Sequence, residues 1–142
     1  MPIRLQRVYR FSASHLYRRP DWSDQENLLR FGKCARLPGH GHNYRLTVTV
    51  VGEIDPRTGF VVDLGALDRL VLERVLDPLD HRHLNEAVPE FGAGREIPSS
   101  ENLALWIRDR LRPALPDGCR LRALRVAEDD DLAAEWDSAD DT

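Results

Sequence analysis

The chain has 142 residues, 42% of them hydrophobic and 31% charged, with a formal charge of −4 at pH 7. That length suits one domain with a modest core, and charges of both signs spread along it leave no basic stripe to hold nucleic acid. No apolar run approaches the roughly 20 residues of a membrane span, and Met1-Pro2-Ile3-Arg4 lacks the apolar core of a signal peptide, so a cytoplasmic protein is expected. Its two cysteines, Cys34 and Cys119, then read as free thiols in a reducing compartment.

Leu5 to Ala13 alternates apolar with polar residues, the period of a half-buried strand, and His15 stands where that strand runs out. Leu16 to Lys33 lacks a clean period and carries Arg18, Arg19 and Arg30 around Pro20 and Trp22. It reads as a long loop, either a flexible connector or a lid whose arginines meet an anionic substrate. Pro38-Gly39 turns the chain into His40-Gly41-His42-Asn43-Tyr44. Leu46, Val48 and Val50 mark the inner face of a strand from Tyr44 to Glu53, and by parity His40 and His42 continue that face. Asp55 to Gly59 is turn chemistry before the short apolar run Phe60-Val61-Val62.

From Leu64 the period becomes helical, with Leu67, Leu70, Val71 and Val75 as the apolar stripe and Pro78 ending it. Leu79 to Asn85 reads as irregular and holds Asp80, His81 and His83. Ser99 and Glu101 open a second helix that Pro113 closes. Leu121 to Ala127 alternates as a strand, Glu128 to Asp131 makes an acidic turn, and Leu132 to Trp136 pairs back as a hairpin. The order is ββααββ: an α+β fold with a four-stranded antiparallel sheet and two helices on one face. One domain is expected over residues 1–136, followed by a short polar, acidic tail at 137–142.

His40 and His42 would present two imidazoles on one face of a strand, which is how a strand holds a metal. Neutral imidazole suits zinc, and a catalytic zinc takes three protein ligands with a fourth position open. His15 is the third candidate; taken alone, His-Gly-His also fits a turn with solvated histidines. Cys34 lies just upstream in the same stretch. Asp80 directly before His81 suits an acid that orients an imidazole, or a simple turn cap. Glu128 in an acidic hairpin ordinarily reads as a solvated charge, Glu101 as a helix-start acid, and Cys119 as structural.

Phe11-Ser12-Ala13-Ser14-His15, the stretch Cys34 to His42, Leu79-Asp80-His81, Pro98-Ser99-Ser100-Glu101-Asn102 and the late Glu128 together resemble the 6-pyruvoyl-tetrahydropterin synthase and 6-carboxy-tetrahydropterin synthase (QueD) family. The resemblance covers nearly the whole chain, in the family's order. It implies a T-fold (tunnelling fold) subunit whose sheets join into a barrel in a homo-oligomer, often a hexamer. It implies zinc held by His15, His40 and His42, with Cys34 as the catalytic cysteine and Asp80 and His81 as the charged pair working with it. Glu128 matches the carboxylate that anchors a pterin ring; Glu101, besides opening its helix, is a candidate for a further substrate contact. The implied activity is that of a zinc-dependent lyase converting 7,8-dihydroneopterin triphosphate to 6-pyruvoyl-tetrahydropterin with release of triphosphate. The alternative is the 6-carboxy product, with loss of acetaldehyde as well as triphosphate, on the route to deazapurines and queuosine. A zinc-stabilised T-fold module that binds a pterin or purine without catalysis is the third reading. The five residues between Cys34 and His40 resemble the longer spacing of the pyruvoyl-forming enzymes. His83 and Asp129 depart from the family pattern.

Overall fold

The alternation at Leu5 to Ala13 does form a strand, and backbone pairing carries it further in both directions than the pattern marks. In a computed structural model describing residues 1–141, β1 spans Ile3–His15 and pairs antiparallel along its whole length with β2, His40–Gly52. The register sets His15 opposite His40, Ala13 opposite His42 and Phe11 opposite Tyr44. β4 (Cys119–Ala127) lies on the other side of β2, and β5 (Ala133–Asp137) closes the hairpin onto β4.

The sheet differs from the expected four antiparallel strands. It has five, in the order β3-β1-β2-β4-β5, and is mixed, because β3 (Arg82–His83) runs parallel to β1. Two residues carry no readable period. β3 exists because the preceding backbone is docked on β1: Ser12 N–H donates to Asp80 Oδ1 at 2.9 Å and His81 N–H donates to the Ser12 carbonyl at 2.6 Å. The parallel pairing is reached by a helical crossover, as it must be.

The helices also differ from the expected pair. α1 (Asp24–Phe31) occupies part of the segment read as loop, with Ser23 Oγ accepting from Glu26 N–H at 3.1 Å as its cap. α2 (Leu64–Val71) is capped by Asp63 and passes through one π-turn, Leu72–Leu76, into α3 (Asp77–Leu79). Pro78 sits in the first turn of α3, where its missing N–H is tolerated, so helical structure ends at Leu79 rather than at the proline. α4 (Leu84–Ala87) is a single turn, and α5 (Ser100–Leu111) is capped by Ser99 Oγ, which accepts from Asn102 N–H at 3.2 Å.

The core lies between one face of the sheet and these helices. Phe11, Leu46, Val48, Leu124 and Val126 meet Leu67, Val71, Leu103 and Ile107, all buried. The opposite face of the sheet carries polar side chains such as Gln6, Arg10 and Arg45, which stay exposed or half-exposed. Beyond β5, Ser138–Asp140 forms a 3-10 turn, and Asp141 accepts hydrogen bonds from Trp136 Nε1 at 3.1 Å and from Arg112 at 2.9 Å. Among the described residues no helix is long and apolar enough to cross a membrane.

Candidate active site

The register of β1 on β2 brings three imidazoles to one end of the core face. The rings of His15, His40 and His42 form a triangle with every centroid separation at 4.9 Å. His15 Nε2 and His40 Nε2 face one another at 3.3 Å. His15 is fully buried, and its Nδ1 lies 2.9 Å from the Tyr44 hydroxyl. With Nδ1–H donating to that oxygen, Nε2 presents its lone pair to the centre of the triangle. Burial, and then His42 and His40, push the His15 pKa down to about 3, and burial likewise lowers that of His40, so both rings are neutral at neutral pH. Gly39 makes this approach feasible: its φ is +114°, and a Cβ there would stand 2.3 Å from the His15 carbonyl oxygen.

Cys34 sits on the 3-10 turn Gly32–Ala35 that follows α1, and Tyr17 N–H donates to its carbonyl at 2.9 Å. Its Sγ is 3.8 Å from His40 Nε2, at the rim of the triangle. Burial and then the Glu128 carboxylate push the thiol above its ordinary pKa, with Lys33 opposing them. The chain by itself therefore holds Cys34 as a thiol, and a further positive charge is needed to make it a thiolate.

Glu128 is not the solvated charge that its acidic neighbours suggest. It follows β4 directly, its side chain is 11% exposed, and Oε2 is 3.7 Å from His42 Nε2 and 3.5 Å from Ser100 Oγ. Asp129 serves the turn instead, accepting from the N–H groups of Asp131 and Leu132 at 2.8 and 2.9 Å. Glu101 is exposed in the first turn of α5, the place of a helix-start acid.

Asp80 and His81 come together at the edge of β1, with His81 Nδ1 3.0 Å from Asp80 Oδ1. His81 has a φ of +59° and an imidazole that is 81% exposed, lining an open groove with Ser12, Asn43 and Arg82. Among the described residues no hydrogen bond joins this pair to Cys34 or to the three histidines. The Ser12 N–H, and then His81, hold the Asp80 carboxyl below its usual range. A carboxyl lowered on folding adds stability above its unfolded pKa, about 3.9, and loses it as pH falls through the folded value. Asp80→Asn should therefore be less stable than the parent chain at pH 7, and the gap in urea midpoint should close as pH drops below 4, about where carboxylates protonate.

The arginines of the segment before Cys34 are engaged within the chain. Arg18 bonds the Ala35 carbonyl and Asp24, Arg19 pairs with Asp21, and Arg30 with Glu26. Asn27, fully buried, accepts from Arg19 N–H at 2.7 Å and donates to three backbone carbonyls. The segment is tied down through these bonds. Sequence reasoning also passed over Tyr17, Tyr44 and Ser100, which line the site. The two-residue parity that aligned His40 with His42 extends to Tyr44, and from His15 to Tyr17.

These donors fit zinc. Among the described residues His42 Nε2 is buried without a hydrogen-bond partner, the His15 and His40 imidazoles are neutral and converge, and two sets of donor atoms each lie within 4.8 Å of one another, His15 with Cys34 and His40 and His15 with His42 and Glu128. Fold and site together define an α+β protein with a histidine cradle built on paired strands and a thiol at its rim. The chain belongs to the 6-pyruvoyl tetrahydropterin synthase family: the family model matches residues 4–139. It is 47% identical over 108 residues to the 6-pyruvoyl tetrahydrobiopterin synthase of Pongo abelii, covering 76% of this chain and 73% of that one. The Homo sapiens protein of the same name is 46% identical over 120 residues, 84% of this chain and 81% of the human one. The solved 6-pyruvoyl tetrahydropterin synthase of Caenorhabditis elegans superposes with a TM-score of 0.88 at 33% identity, covering 97% of this chain and 96% of that one. The architecture is thus that of the T-fold family.

Proposed function

We propose that the protein is a zinc-dependent lyase that converts 7,8-dihydroneopterin triphosphate to 6-pyruvoyl-tetrahydropterin and releases triphosphate. The observation that carries this reading is the triangle of His15, His40 and His42 with the Cys34 thiol at one side and the Glu128 carboxylate at the other. The names of the vertebrate relatives support the pyruvoyl product over the carboxy product.

Zinc held by the three imidazoles would act as a Lewis acid toward the side-chain hydroxyls of the substrate and would favour the thiolate of Cys34. Every other role falls to side chains. Glu128, steadied by Ser100, accepts two hydrogen bonds from the amide and amine edge of the pterin and so fixes the ring. Cys34 takes a carbon-bound proton from the substrate side chain, a task for a base within reach of the cradle. Burial of His15 and Tyr44 behind the cradle excludes water from its inner side.

Asp80 and His81 form a proton relay in this reading: the carboxylate, 3.0 Å from Nδ1, orients the imidazole. Because, among the described residues, no hydrogen bond joins the pair to Cys34 of its own chain, it serves the Cys34 of a neighbouring copy in a homo-oligomer. The outer edge of β1 from Ile3 to Phe11 and that of β5 are open to such association, a barrel built of several sheets and a hexamer in the expected form. Mixing inactive Cys34→Ala chains with inactive His81→Ala chains should recover turnover; mixed oligomers without activity would contradict the shared site.

The reading is tested by metal analysis. The purified chain should carry zinc, lose triphosphate release when a chelator strips it, and regain it on adding zinc back. A stripped protein that turns over at the full rate would sink the proposal.

A further inference from the structure

Behind the cradle, on the other side of the same strands, runs a second row of residues. Register places His83, Ser14 and Gly41 side by side on β3, β1 and β2, each adjacent in sequence to a residue of the cradle strands or their support. Ser14 precedes His15, and Gly41 separates His40 from His42. His83 Nδ1 lies 2.8 Å from Ser14 Oγ, and its Cε1 lies 3.4 Å from where a Cβ on Gly39 would stand. The ring thus packs over the glycine that delivers His40. Two residues on, Asn85 grips the other flank of His15: Oδ1 accepts from Leu16 N–H and Nδ2 donates to the Leu16 carbonyl, both at 2.8 Å. Leu84, between His83 and Asn85, is fully buried and pins both to the core.

We propose that His83 and Asn85 are positioning residues, a two-point clamp that holds Ser14 to Leu16 in place so that buried His15 keeps its Nε2 aimed into the cradle. The clamp rests on the reading of His15 as a zinc ligand. It accounts for His83, the histidine that stands outside the family pattern. Both histidines line the open groove, but His83 bonds Ser14 and lies over Gly39, whereas His81 bonds Asp80. Side chains one bond removed from a ligand fix its orientation, and their loss commonly costs about 10- to 100-fold in metal affinity.

The test follows zinc release from the full-length chain to a chromogenic chelator, without substrate. His83→Ala and Ser14→Ala delete the same hydrogen bond from its two ends, so each should speed release about tenfold or more. The double variant should be no worse than either one, since the two act through one contact. His83→Asn, whose amide can still meet the Ser14 hydroxyl, should restore slow release, a rescue that a purely structural role for the ring would not give. Asn85→Ala should speed release independently, adding to His83→Ala. Ser14→Ala removes a single oxygen and keeps the test valid if His83→Ala fails to fold. Wild-type release from both Ser14→Ala and Asn85→Ala, or an Asn at 83 as leaky as Ala, overturns the clamp. A parent chain that binds no zinc overturns the reading of His15 beneath it as well.

Discussion

Replacing Cys34 with alanine is expected to lower turnover about 10²- to 10⁴-fold, the range for loss of a general base, while the protein keeps its zinc. The retention of zinc matters because the geometry allows a second role. Sγ is 3.8 Å from His40 Nε2, and with His15 and His40 it forms one of the donor groups able to hold an ion. A thiol acting as fourth ligand would take zinc with it when removed. The three imidazoles are positioned by β1–β2 register and by Tyr44 rather than by Cys34, so the cradle should survive the substitution. Zinc content and turnover, measured on the same preparation, separate the roles. Full activity in the alanine variant would remove Cys34 from the mechanism.

The second large effect is expected at Glu128. Glu128→Gln keeps the shape but turns one acceptor into a donor, against a pterin edge that itself offers donors. Two charge-assisted bonds are disturbed, and at about 1.5–3 kcal/mol each kcat/KM should fall about 10²- to 10⁴-fold, chiefly through KM. The 3.7 Å separation from His42 Nε2 leaves the alternative that this carboxylate is a ligand. Loss of zinc with an unchanged KM would support that alternative; retained zinc with raised KM is the expected result.

The cradle was legible because it depends on short-range parity. Side chains two apart share a face of a strand, so His40, His42 and the Leu46 face could be aligned from sequence, and His15 followed from where β1 ends. α1 was legible too and was missed: Ser23-Asp24-Gln25-Glu26 is a capping-box pattern, but Leu28 and Leu29 leave much surface exposed and blur the apolar stripe. β3 was not legible in the same way. Two strand residues held by Asp80 and His81 bonds to Ser12, 68 residues apart for the Asp80 bond, leave no periodic trace. Glu128 shows the limit of composition. Its acidic neighbours predict solvation, whereas the hairpin backbone, with Glu128 N–H donating to the Leu132 carbonyl, leaves its side chain turned toward His42. The rise in the Cys34 pKa was equally hidden, since it comes from burial and from a carboxylate 94 positions away in the chain (128 − 34).

The central claim is the reaction. The most direct test is anaerobic incubation of the zinc-loaded protein with 7,8-dihydroneopterin triphosphate, with the pterin product and any acetaldehyde identified by mass spectrometry. The account predicts 6-pyruvoyl-tetrahydropterin and triphosphate without acetaldehyde. A 6-carboxy product accompanied by acetaldehyde, or a folded, zinc-bound protein that leaves the substrate unchanged, would contradict it.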